Sequence, residues 1–165
     1  MHLIYKAPLD NVAKITTGII SLLILFMLLK SVYILITTAL LMPLLISISF
    51  VISYSLLYLH SPIKYSIQND AIRVHRLIGN VIFKKCDIKK LALVDKDVLK
   101  NAYRTFGVAA LFGYWGRYTI TKIGRTTWYA RHKNMAVLIT TITNKKIIIT
   151  PGNCTKFIKD YTCKV

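Results

Sequence analysis

The sequence contains no glutamate. All six of its acids are Asp, set against 23 Lys and Arg, for a formal net charge of +17 at pH 7. Such an imbalance leaves most cations without an internal partner and directs the chain toward anionic surroundings: acidic lipid head groups, nucleic acid or an acidic protein. Cysteine is scarce, with three residues at 86, 154 and 163 and no C-x-x-C pair, which excludes a zinc ribbon or a dithiol redox motif. The four His, at 2, 60, 75 and 132, lack the HExxH spacing of a metalloprotease. Glycine is also sparse, seven in all, and neither GxxxxGK(S/T) nor GxSxG occurs, so a phosphate-binding loop and a nucleophile elbow are excluded. Acid–base chemistry would fall to isolated Asp residues. A non-enzymatic protein without metal or cofactor is expected, and cysteines in a reducing cytoplasm are expected as small buried or capping thiols.

Charge is missing most conspicuously from residues 15–59, a run of 45 residues whose single formal charge is Lys30. One bilayer crossing takes about 20 apolar residues, so the run suits two crossings joined by a tight turn. Helices are expected at about residues 11–31 and 34–59, with Lys30 snorkelling at the turn, Pro43 inside the second helix, and Tyr33, Tyr54 and Tyr58 as interfacial aromatics. The run is far longer than the ~7–15 residues of a signal-peptide core. An interfacial first helix is disfavoured because residues 15–29 are apolar on every face. Of the 23 basic residues, 20 follow His60, which places the C-terminal part, and with a two-crossing hairpin the N-terminus too, in the cytoplasm. The expected product is an integral membrane protein with both termini cytoplasmic.

His60-Ser61-Pro62 is the entire linker, roughly 10 Å when extended, so a domain at residues 61–165 must sit against the head groups. Its pattern is β. Ile72 and Val74 alternate with Arg73 and His75, and Gly79-Asn80 separates two apolar runs as a hairpin turn would. Further strands are expected at 91–94, 114–123, 126–130, 136–143 and 146–150, with residues 95–113 a long connection holding a short helix. Residues 155–163 read as a closing helix with Asn153 as N-cap and Phe157, Ile158 and Tyr161 on one apolar face. Seven short strands and one helix suggest a small barrel or sandwich.

The order of these segments, with Arg104-Thr105-Phe106-Gly107, Leu111-Phe112-Gly113-Tyr114-Trp115-Gly116-Arg117-Tyr118 and Ile149-Thr150-Pro151 ahead of Phe157-Ile158, resembles the bacterial pleckstrin-homology-like (PH-like) domain proteins that carry an N-terminal transmembrane hairpin. The resemblance implies an α+β fold: a two-helix membrane hairpin, then two roughly orthogonal antiparallel sheets forming a barrel or sandwich capped by a C-terminal helix. It defines fold far more than function. Eukaryotic phosphoinositide-binding relatives use a basic pocket under a sizeable loop between their first two strands. Here that connection is Gln68-Asn69-Asp70, and Lys64, Arg73 and Arg76 do not form the relatives' pattern, so no such pocket is expected.

The remaining functional signal is basic and aromatic. Arg104, Trp115, Arg117, Lys122, Arg125, Trp128, Arg131 and Lys133 form the candidate surface, where cations meet phosphates and aromatic rings sit at the polar–apolar boundary. Taken singly, such aromatics are more often core. The expected function is a membrane-anchored module docking through this basic face on anionic lipid or on a protein partner; a structural subunit of a membrane complex is the alternative. Nucleic acid ranks last, because twenty basic against five acidic residues after His60 fit strand binding but no RNP or helix-turn-helix motif accompanies them.

Overall fold

The computed structural model describes residues 3–68 and 71–163. The first element is a strand, β1 (Leu3–Lys6), and only then do the two apolar helices follow, α1 (Asn11–Thr38) and α2 (Met42–Leu59). Asp10 starts α1 by accepting the Ala13 N–H at 2.7 Å, the usual way an N-cap satisfies an orphan donor. The helix passes straight through Lys30, because no Gly or Pro stands between Gly18 and Pro43 to stop it. Reversal comes at residues 39–41, with Ala39 left-handed at φ 56°. The expected break near Lys30–Tyr33 is thus displaced, and Pro43 lies in the first turn of α2, where its missing N–H costs nothing. It marks a start and causes no kink.

Both helices are long and apolar enough to cross a membrane, and their Leu, Ile and Phe side chains are largely exposed. Ser31 and Ser47 are buried, and each hydroxyl donates back to its own helix, at Leu28 and Pro43. Small residues of this kind let two apolar helices approach closely.

β1 pairs antiparallel with β2 (Lys64–Gln68), from Leu3 opposite Ile67 to Lys6 opposite Lys64. The helical hairpin is therefore an insertion between two neighbouring strands. β3 (Ala71–His75) and β4 (Val81–Lys84) complete a four-stranded antiparallel sheet in the order β1-β2-β3-β4. The second sheet has six strands in the order β5-β9-β10-β8-β7-β6. They are β5 (Ile88–Asp95), β6 (Ala102–Val108), β7 (Tyr114–Ile120), β8 (Gly124–Ala130), β9 (Met135–Thr141) and β10 (Lys146–Ile149). The short helix expected within 95–113 is α3 (Lys96–Lys100), but β6 also forms there. β10 runs parallel to β8, so this sheet is mixed where an antiparallel one was expected. The two sheets make an open sandwich, not a closed barrel.

Two cores lie on opposite faces of the second sheet. Between the sheets, Tyr65, Ile72 and Val74 meet Val137, Ile139, Ile147 and Ile149, closed by Phe157 of α4 (Cys154–Thr162). The other face holds Tyr118, Trp128 and Ile148 with Leu99 of α3 and Ala13 of α1. Ile147-Ile148-Ile149 is apolar without alternation because this strand is buried on both sides. Asn153 caps α4 as expected, accepting the Lys156 N–H at 2.9 Å. Cys154 is buried in its first turn and Cys163 is its C-cap, as a buried and a capping thiol would be, whereas Cys86 is exposed and caps no helix, which corrects the expectation for that residue. Cys154 and Cys163 stand at opposite ends of α4, roughly 13 Å apart by helical rise, too far to bond.

Tyr5 ties β1 to this core: its ring meets Phe157 edge-on at 4.9 Å and its hydroxyl donates to Asp160. Tyr5→Ala is expected to destabilise the full chain in detergent by about 3 kcal/mol, read by thermal or denaturant unfolding. A fragment beginning at residue 61 lacks β1 and should aggregate or unfold; if it melted like the full chain, β1 would not belong to the domain.

Candidate functional site

The end of the sandwich that receives the helices is held by a clasp. The loop between β6 and β7 inserts Phe112 against Tyr54 and Tyr58 of α2, at ring distances of 4.8 and 5.0 Å. The Phe112 N–H donates to Thr17 of α1 at 3.1 Å. Ala110 and Phe112 have φ of 67° and 55°, left-handed values that cost non-glycine residues energy and persist where packing compensates. Trp115 stacks on His60 at 6.4 Å, the Asp10 N–H donates to the Arg131 carbonyl, and the Ile78 N–H to that of Leu59. Asp10 also accepts from the Tyr114 hydroxyl at 2.9 Å. The glycine–aromatic block seen in the sequence builds this clasp. Gly107 and Gly116 face each other across β6 and β7, and a Cβ on either would lie 2.3 Å from a backbone oxygen of the opposite strand.

From the clasp a ladder of cross-strand pairs runs along β7 and β8 on the face that looks toward the first sheet. Trp115 opposes Tyr129, Arg117 opposes Thr127, and Thr119 opposes Arg125. Successive rungs are about 7 Å apart, so Arg125 lies roughly 13 Å from the clasp. Beyond the first rung the face is open as a groove of about 670 Å³, lined by Arg117, Arg125, Lys145, Lys146, Phe106 and several Thr, with no acid. Lys145 and Lys146 arrive there because β10 pairs with β8, a contact that sequence reasoning missed for want of any local signal.

The eight sequence-selected residues do not form one surface. Arg117 and Arg125 share the groove, Lys122 is on the β7–β8 turn, and Arg104 is exposed on β6 before a register shift that separates it from Phe106. Trp115 and Arg131 stand at the clasp. Trp128 is fully buried and stacked on Tyr118 at 4.4 Å, so it is core and not surface. Lys133 sits over the Tyr114 ring at 4.7 Å, on the opposite side of the sheet, where burial lowers its pKa and Asp10 opposes that shift. Arg76, just after β3, is not among the eight. It lies 4.6 Å over the Tyr129 ring. In the β2–β3 connection, Asn69 and Asp70 are outside the described residues.

Among the described residues, few acids are placed to neutralise this charge. Asp10 and Asp160 are engaged by Tyr114 and Tyr5, and Asp97 pairs with Lys100 at 3.4 Å on an exposed surface. Burial pushes the Tyr65 hydroxyl up to about 12, so it stays a donor to the Tyr129 carbonyl. Burial also lowers the pKa of Arg131.

This chain belongs to the bacterial PH domain family, whose family model matches residues 63–165. The matched stretch begins after the helices and leaves β1 outside it. No curated protein and no solved structure matches the chain. PH domains are in general non-catalytic modules that bind lipids or proteins, and two apolar helices preceding one are consistent with a transmembrane hairpin.

His132 follows Arg131 and is buried, with Nδ1 unpartnered. Burial depresses its pKa below the ordinary 6.5, Asp10 acting in the opposite sense. The unfolded chain therefore binds more protons as pH falls through 6.5, and stability drops there. The melting temperature should fall between pH 7 and pH 5, and His132→Gln should flatten that slope; parallel slopes would remove His132 as the cause.

Proposed function

We propose that this chain is a membrane-anchored, non-enzymatic docking module. Its hairpin crosses the bacterial cytoplasmic membrane with both termini cytoplasmic, and its basic groove captures an acidic segment of a protein partner. The observation that carries this reading is the position of the groove: four cations and no acid, on rungs that climb away from the clasp. Head groups occupy about 6 Å beyond the hydrocarbon on each side, and the Debye length at physiological salt is ~8 Å. Arg117, one rung up, is within that reach. Arg125, roughly 13 Å from the clasp, stands clear of the head groups and close to the limit of that screened field, as do the separate turns carrying Lys122 and Lys145, which favours a protein over lipid for the groove. Phe106, three-quarters exposed, supplies an apolar wall beside the cations.

Full-length protein in phosphatidylcholine nanodiscs should bind a fluorescent poly-aspartate decapeptide, read by anisotropy. Affinity should fall steeply between 0.05 and 0.5 M salt, as for a charge-driven contact. Arg117→Gln, Arg125→Gln and Lys145→Gln together should weaken it at least ~tenfold, the equivalent of ~1.4 kcal/mol. Unchanged affinity in the triple variant would sink the reading. So would quenching of a label at Thr143→Cys, with Cys86 and Cys163 replaced by Ser, by lipids spin-labelled at the head group in phosphatidylglycerol nanodiscs, which would lay the groove on the membrane.

Orientation has its own test. In intact cells a membrane-impermeant maleimide should modify Leu40→Cys at the helix turn and spare the exposed Cys86 and Cys163. Modification of Cys163 alone would invert the topology.

A further inference from the structure

At the clasp, the Nε–H of Arg76, the Nε1–H of Trp115 and the Nε–H of Arg131 are buried without a hydrogen-bond partner, and so is the Ser61 hydroxyl. The three nitrogens can only donate, so what they lack is an acceptor. They share one neighbourhood. Tyr129 is the cross-strand partner of Trp115, carries the Arg76 guanidinium over its ring at 4.6 Å, and stands two residues before Arg131. Ser61 follows His60, whose ring stacks on Trp115. An unmet buried donor is costly, more so when charged, so several gathered in one place call for an acceptor that the described residues do not supply. Asp10, bonded to the clasp strand, is already taken by the Ala13 N–H and the Tyr114 hydroxyl.

We propose that this junction binds the phosphate of one anionic phospholipid, with Arg76, Trp115 and Arg131 as donors. A phosphate offers several acceptor oxygens and negative charge, which guanidinium groups match best. The cluster lies where α2 ends, beside Tyr58 and His60, and the apolar flank of that helix, Leu56 among it, is exposed for an acyl chain to follow. A soluble phosphate would use only half of that arrangement. The site rests on the hairpin being embedded in a membrane. It is independent of what occupies the groove.

The test uses the full-length protein in mild detergent and native mass spectrometry. With added phosphatidylglycerol, one lipid per chain should be retained, and diacylglycerol of the same chains should not. Retention should fall about tenfold in Arg131→Gln and in Arg76→Gln, the scale of one charge-assisted hydrogen bond. Trp115→Phe keeps the ring and removes the donor, so it should lower retention severalfold while leaving the lipid-free melting temperature unchanged or raised. That variant keeps the test decisive if an arginine variant fails to fold. The groove variant Arg117→Gln/Arg125→Gln/Lys145→Gln should retain the lipid as wild type does, which separates this site from the groove. Equal retention by Trp115→Phe and wild type, equal retention of diacylglycerol, or loss of retention in the groove variant would each overturn the proposal. Complete displacement by millimolar inorganic phosphate would overturn the lipid as the source and leave a soluble oxyanion.

Discussion

Four residues, Leu3–Lys6, hydrogen-bond along Lys64–Gln68, and everything between them must leave the sheet and return to it side by side. That single pairing makes the helices a hairpin in the strict sense: α1 leaves from and α2 returns to one edge of one sheet, whatever solvent surrounds them. It also sets the leading edge of the sandwich, since β1 carries Tyr5 into the core against Phe157. A chain cut after the helices would expose the β2 backbone that β1 covers, the kind of open edge that invites aggregation.

Ladder pairing alone would still let the helices swing on short connections. The clasp prevents this through several modest contacts: rings at Phe112, Tyr54, Tyr58, His60 and Trp115, and backbone bonds from Asp10, Ile78 and Phe112. Ala13, already within α1, is buried in the second core. The first turn of the first apolar helix thus belongs as much to the domain as to the hairpin. A domain fixed in this way presents its charges at defined heights above the helix ends, and charge then acts by position as well as by sum.

Position divides the basic residues into two kinds. At the clasp, arginines are partly buried beside aromatic rings and held with unmet donors. Further along the same face, Arg117, Arg125, Lys145 and Lys146 line an open groove. Desolvation makes the first kind selective for a partner that replaces lost hydrogen bonds. Solvent screening makes the second kind strong only in sum, and salt-sensitive.

The sequence by itself determined what depends on local composition and period. The apolar run defined two helices, Asn153 and the Phe157 spacing defined α4, and the glycine–aromatic block with its flanking strands carried the family resemblance that the match over residues 63–165 bears out. The helix turn was misread because Lys30 is a charge, whereas a helix ends where its backbone is interrupted, here before Pro43. Tertiary structure alone decided what depends on contacts between distant residues. Leu3–Lys6 is too short to read as a strand until β2 is beside it, and β6 looked like connection until β7 paired with it. Of the candidate site, Arg117 and Arg125 were legible because they alternate on strands. Trp128 was assigned to the surface because period two does not say which face is covered, and Lys145 and Arg76 were missed because their neighbours lie on other strands. Charge is written in the sequence. Which charges share a face, and which are left without an acceptor, is fixed only when strands far apart in the chain are packed together.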